Sequence, residues 1–184
     1  MKNEITITKE EHTWTSDEKL KRIGYGEWVE EFDLVEFEYL GYQAKVQRVL
    51  IREPYAKEEF YFGGHLCAYV KIPYGHPYHH KKYEEMVIQC HHGLTFGGVS
   101  DAHWIGFDCG HLYDLIPSTE RLMKSKQASG EFNPLSITPV LKKHPLFNPV
   151  YRNIEFCINE CKVIIEQLIE IQEQCEKEKL SKNP

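Results

Sequence analysis

Eight of the ten histidines and three of the six cysteines fall between His65 and Asp114. The stretch reads HLCAYVKIPYGHPYHH, then QCHHGLTFGG, then HWIGFDCGHLYD. Imidazole, thiol and carboxylate groups at this density suit metal ligation, nucleophilic catalysis, proton transfer or the binding of a polar ligand. His65 and Cys67 sit two apart on an expected strand and share a face, and His91, Cys109 and His111 could join them in space, with His65, Cys67 and Cys109 the metal candidates singled out. These three are the residues that would hold a metal. Their spacings match no established ligand motif, so no cofactor is assigned, although a divalent ion would suit the residue types. Cys90 beside His91, or Cys109 near His111, could form a thiolate–imidazole pair. Strand neighbours point to opposite faces, which argues against Cys90–His91. Asp108 and Asp114 flank His111 and could orient its ring for proton transfer. A two-histidine phosphodiesterase would need H-x-T pairs. His91 and His92 are followed at that offset by Gly93 and Leu94, which excludes it. Lys71, Lys81 and Lys82, with Tyr74, Tyr78 and Tyr83, surround the loop after Pro73. They offer cations and stacking faces to a phosphate-bearing or aromatic ligand.

The elements that position these groups follow from periodicity. Ile5 and Ile7 predict a short edge strand, and Ser16 before Asp17 and Glu18 predicts a helix start. Val35, Phe37 and Tyr39, then Ala44, Val46 and Val49, predict an antiparallel hairpin across Gly41 with one wet, acidic face. Residues 52–64 read as a loop. Strands are expected over His65–Ile72, Met86–Cys90, Leu94–Phe96 and Trp104–Cys109. Residues 115–150 are irregular and punctuated by proline, with helical turns expected at Ser118–Lys126 and Pro139–Lys143. From Tyr151 to Lys179, Ile154, Cys157, Ile158, Cys161, Ile164, Ile165, Leu168, Ile171 and Cys175 recur every three or four residues. This is a long amphipathic helix. The fold class is therefore α+β: a mostly antiparallel sheet with a long C-terminal helix packed on it. One domain is divided into an N-terminal helix and hairpin (1–64), motif-bearing strands (65–114), an irregular connection (115–150) and the helix (151–179). The end of so long a helix could pair two copies as a homodimer.

The 184 residues carry a net charge of -6, with 41% apolar residues and 12% aromatics. Such a composition builds one core and argues against broad nucleic-acid binding, which needs a basic face. No apolar run is long enough to span a membrane, and the first residues lack a signal-peptide core. A cytoplasmic protein with reduced thiols is the expectation. His12 and His144 lie outside the cluster and read as surface residues.

Three motifs together are similar to a family of small, uncharacterised bacteriophage and prophage proteins. The matching residues are Cys67, Tyr69, Val70, Ile72, Pro73, His76 and Pro77; then His91, Gly93, Leu94, Thr95 and Phe96; then Trp104 to Cys109, His111 and Asp114. The helix NIEFCINECKVIIEQL matches the family's terminal element, so the resemblance spans residues 65–175. Ala68 and His92 stand where that pattern has Gly, Gly110 where it has Ala, and Leu112-Tyr113 where it has Ala-Gly. The resemblance implies a phage-type accessory protein in the host cytoplasm. It brings no settled activity, and anti-defence proteins that sequester nucleotide-derived immune signals are the analogy. The leading expectation is a pocket for a small, polar, nucleotide-like ligand. His76, His91, Thr95, Asp108, His111 and Asp114 would line it, the loop at 73–82 would form its rim, and Asp108 would fix an imidazole tautomer. The alternatives are a hydrolase of a phosphate-containing small molecule using His91, Asp108 and His111, with or without a metal, and a protein-binding inhibitor of a host factor.

Overall fold

The computed structural model describes residues 4–52, 61–97, 103–119, 121 and 148–182. Among these, six strands form one antiparallel sheet in the order β1-β2-β3-β4-β6-β5. They are β1 (Thr6–Glu11), β2 (Leu34–Tyr39), β3 (Tyr42–Arg52), β4 (Tyr61–Lys71), β5 (Phe96–Gly97) and β6 (Trp104–Asp108). The helices are α1 (Ser16–Ile23) and α2 (Ile154–Lys182), with single 3-10 turns at Glu27–Val29 and Tyr83–Glu85. The α+β architecture is thus as expected: a sheet with the long C-terminal helix packed against one face. Among the described residues no helix is long and apolar enough to cross a membrane.

Alternation builds the sheet. Val35, Phe37 and Tyr39 of β2 are buried, as are Ala44 and Val46 of β3 and Leu66, Ala68 and Val70 of β4. On β6, Ile105 and Phe107 join them. Cys157, Cys161, Ile164, Ile165 and Leu168 of α2 pack onto this face and complete the core. The β2–β3 hairpin closes through Leu40 and Gly41, with φ of 49° and 83°. Two consecutive left-handed residues are what a tight two-residue hairpin turn requires. The inward row of β3 continues from Ala44 and Val46 to Arg48, and a bulge between Arg48 and Leu50 shifts the register at Val49, which is only half-buried. Beyond Gln172 the helix is mostly exposed and polar, with Cys175 and Leu180 the apolar residues among its last turns.

Several boundaries move. Thr15, not Ser16, caps α1, and its hydroxyl exchanges hydrogen bonds with Glu18 in a capping box. β4 begins four residues before His65, so Tyr61–Gly64 belongs to the sheet, not to a loop. Met86–Cys90 forms no ladder. It runs extended along α2, burying Met86 and Ile88, while Gln89 exchanges backbone hydrogen bonds with the Gln167 amide at 2.8 and 2.7 Å. β5 shrinks to two residues, and HHGLT is a turn, with Gly93 at φ 89°. The helical turns expected within 115–150 fall mainly on 120 and 122–147, outside the described residues, as does His144.

Charge is buried beside the core. Arg48 donates to Asp33 Oδ1 at 2.8 Å, to the Gly64 carbonyl at 2.8 Å, to Tyr151 at 2.9 Å and to Glu31 at 3.0 Å. Lys19, 1% exposed, meets Asp33 at 3.2 Å and donates to the Glu31 carbonyl. Each buried cation therefore has a carboxylate and a carbonyl. Removing one member of such a set leaves an uncompensated charge, which costs about 3–5 kcal/mol. Asp33→Asn is expected to lower unfolding stability by about 3 kcal/mol or more, read as a lower urea midpoint at constant slope.

Candidate functional site

The sheet positions the site where β6 ends. Asp108, opposite Cys67 on β4, faces away from α2, whereas Phe107 and Cys109 face the core. The chain then turns through Gly110 and His111 to Asp114, whose N–H donates to the His111 carbonyl at 3.0 Å. Asp114 makes a parallel bridge to Val150, which delivers Arg152 and the start of α2 to the same place. Asn153 caps that helix, its Oδ1 accepting from Phe156 N at 2.9 Å. The turn at His91 is pinned from above, since its N–H donates to Glu160 Oε2 at 2.7 Å.

Asp114 is the hub. Its side chain is 0% exposed. His91 Nε2 lies 3.0 and 2.9 Å from its two oxygens, Arg152 Nε donates to Oδ1 at 3.1 Å, and His111 N donates to Oδ2 at 3.1 Å. Burial alone would raise this carboxyl, but these donors outweigh it and hold the group below the ordinary carboxylate range. Accepting from Nε2–H fixes the His91 tautomer, so the orienting carboxylate is Asp114 and not Asp108. His91 is walled by Phe156 and Phe107, at ring distances of 5.1 and 6.2 Å. His111 brings Nδ1 to 3.5 Å from Asp114 and 3.9 Å from Asp108, yet that buried nitrogen has no hydrogen-bond partner. His92 stacks on His111 at 4.4 Å. Its φ of 53° is a left-handed conformation that costs a residue with a Cβ about 1 kcal/mol.

One atom from each of His91, His92, His111 and Asp114 lies within 4.8 Å of the others. This group could hold a metal ion: three imidazoles and a carboxylate are a donor set for a divalent transition metal. Asp108 lies alongside. Burial opposes its charge, but the Thr95 hydroxyl, the Gly110 N–H and the imidazoles of His111 and His65 hold its carboxyl below the usual range. The Gly110 N–H donates to it at 2.9 Å. An added Cβ at Gly110 would stand 3.0 Å from Asp108 and 3.3 Å from the His65 ring, so glycine keeps this corner open.

The structure thus brings together His91, His111 and Asp114, with Asp108 and Thr95 adjoining. His76 stands apart. Its Nδ1 accepts from Tyr78 N at 3.0 Å and its Nε2 donates to the Leu168 carbonyl at 2.9 Å, so both nitrogens are used to tie its loop to α2. Leu168 lies eight residues beyond Glu160, about 12 Å along the helix. The loop at 73–82 therefore lies at the other end of the sheet and is no rim to this site. The cysteines are also elsewhere. Burial pushes the Cys67 and Cys90 thiols up to about 12, and Cys109 faces Cys157 in the core, Sγ to Sγ 3.7 Å, with its thiol raised by that contact and by burial. None is a reactive thiolate. Of the three metal candidates, Cys109 is a core thiol, while Cys67 is buried on the other face of the sheet, across from Asp108, which His65 also flanks. Sequence reasoning passed over His92 as a ligand, and over Arg152 and Glu160. The first was legible only as a departure from glycine, the other two as the polar face of a helix.

No family model, curated protein or solved structure matches the chain.

His76 yields a pH prediction. Burial, then the Leu168 carbonyl and nearby His79, set its proton affinity, and the net effect lowers it from 6.5. A neutral, buried imidazole contributes stability above its unfolded value, and that contribution is lost as pH falls through 6.5 toward the lowered folded value. His76→Leu is expected to cost stability at pH 8 and to reduce the loss of stability as pH falls below about 6.5, measured by urea unfolding at each pH.

Proposed function

We propose that the protein binds a small phosphate-bearing ligand at the end of β6, through a divalent transition-metal ion held by His91, His92, His111 and Asp114. The observation that carries this reading is the convergence of those four side chains around a buried, unpartnered His111 Nδ1. Without metal, the His91 Nε2 proton holds that ring to Asp114. A divalent cation takes over that role and releases protons. Arg152, on the Oδ1 side of Asp114, and Glu160, on the His91 N–H, then act as orienting partners behind the ligands. The strained backbone at His92 supports the same reading, because glycine would fit the turn at lower cost. The resemblance to phage and prophage proteins makes nucleotides, cyclic nucleotides and ADP-ribose-type signals the first class to screen. Sequestering such a signal is the biological role this reading assigns.

Asp108 favours a second reading, hydrolysis. It is held ionised 3.9 Å from His111, beside but outside the four-residue group, where a proton acceptor would serve turnover. Product analysis after long incubation separates the two, since a binding protein returns its ligand intact.

The direct test is metal analysis and calorimetry with zinc and manganese. Stoichiometric binding is expected, weakening in acid because protons compete with the metal for the same ligand atoms. His92→Gly should raise the stability of the metal-free fold by about 1 kcal/mol while lowering metal affinity about tenfold or more. Unchanged affinity in His92→Gly and in His111→Ala would sink the proposal.

A further inference from the structure

At the opposite end of β4 and β6 lies a second polar cavity of about 630 Å³. That volume is in the range of small-molecule sites. The register pairs Lys71 with Trp104 there and Cys67 with Asp108 at the first site, so the two lie about 14 Å apart along the strands. The walls are Glu38 and Gln43 from the hairpin, Lys71 at the end of β4, and His79, His80 and His103. His103 is 1% exposed, yet neither ring nitrogen has a hydrogen-bond partner. Burying an imidazole without partners is costly, and native structures keep such groups where something else satisfies them. Burial, and then the neighbouring His79 and His80, lower the proton affinity of this ring, and the Lys81 carbonyl opposes them only in part. His79, 5.3 Å from His103 between ring centres, likewise leaves Nδ1 unpartnered. His80 stacks edge-on against His79 at 4.6 Å. The rings disfavour each other's charge, an arrangement that an anion among them reverses. Lys71, hydrogen-bonded to Gln43 at 3.1 Å, supplies a fixed cation at the same wall.

We propose that this cavity is a second binding site, taking a small phosphate-bearing anion between His79, His80, His103 and Lys71. The unpartnered nitrogens of His103 and His79 provide the interior donors. Glu38 gives one wall negative charge, which suits hydroxyl groups beside the anionic group.

The test is a titration of the full chain, treated with chelator, with inorganic phosphate and with glycerol phosphate, followed by histidine ring resonances and calorimetry. Shifts at His79 and His103 are expected. Lys71→Gln and His80→Ala, both away from the buried core, should each weaken binding about tenfold, the worth of one charge-assisted hydrogen bond. His92→Gly should leave it unchanged, which separates this cavity from the metal site. Tighter binding of either probe supports the site and tells whether an ester or the free anion is its ligand. No shift at His79 and His103, equal binding by the Lys71 and His80 variants, or loss in His92→Gly would each overturn the proposal.

Discussion

Where α2 begins is the constraint on which the rest of the structure depends, and buried charge sets it. Arg48 on β3 reaches Tyr151, whose hydroxyl donates to Glu31 at 2.6 Å, and the other oxygen of Glu31 accepts from Ile154 N at 3.3 Å. One residue along, Arg152 reaches Asp114. Consecutive side chains before the helix are thus tied to two different carboxylates, Glu31 ahead of β2 and Asp114 beyond β6. A shift of the helix by one residue would break both ties and turn Cys157, Cys161 and Leu168 away from the core. Hydrophobic burial supplies most of the attraction, but it is tolerant of small slides. Hydrogen-bonded charges in a low-dielectric setting are not, because an unpaired buried charge is expensive.

That constraint explains which parts of the molecule could be read from the chain. Alternation over Val35–Tyr39 and the three-and-four spacing over Ile154–Leu168 report burial directly, so the hairpin and the helix were legible. Arg48 and Lys19 were not. Both sit on rows that polarity alone places outside, and only their partners, Asp33 and Glu31, make the interior tolerable. Met86–Cys90 misled for a related reason. An apolar run signals burial, but burial against a helix with side-chain amides such as Gln167 serves the backbone as well as a neighbouring strand does.

The site was legible in its membership and illegible in its roles. His91, His111 and Asp114 converge because β6 ends at Asp108 and the chain must turn sharply there. Spacing could not say which carboxylate would meet which imidazole. Asp108 is three residues from His111 and Asp114 is also three, yet burial separates them: one is wholly enclosed and saturated with donors, the other half-open and held by Thr95. His76, a neighbour in motif terms, went to a different task because its Nε2 donates to the Leu168 carbonyl and anchors its loop to α2. Histidine density is therefore a poor guide to a single pocket. Here one strand carries the imidazoles to its two ends, and the local partners divide them into a carboxylate-rich cluster and a lysine-bearing one.

His92 shows how the turn and the site compete for one residue. The backbone at position 92 is left-handed, and the next residue, Gly93, is too, with φ of 53° and 89°. A pair of left-handed residues is what glycine serves best, and here only the second of them is glycine. With glycine the turn would relax, and the imidazole would be gone from the face of His111. With histidine the turn is strained by about 1 kcal/mol, and a third imidazole stands within reach of Asp114. The stack of His92 on His111 at 4.4 Å cannot offset that strain fully, because His92 is exposed and surface stacking contributes little. The folded chain alone thus gives no reason to keep histidine here. A cation held there, as proposed, would supply that reason, because coordination by a third imidazole would outweigh the strain.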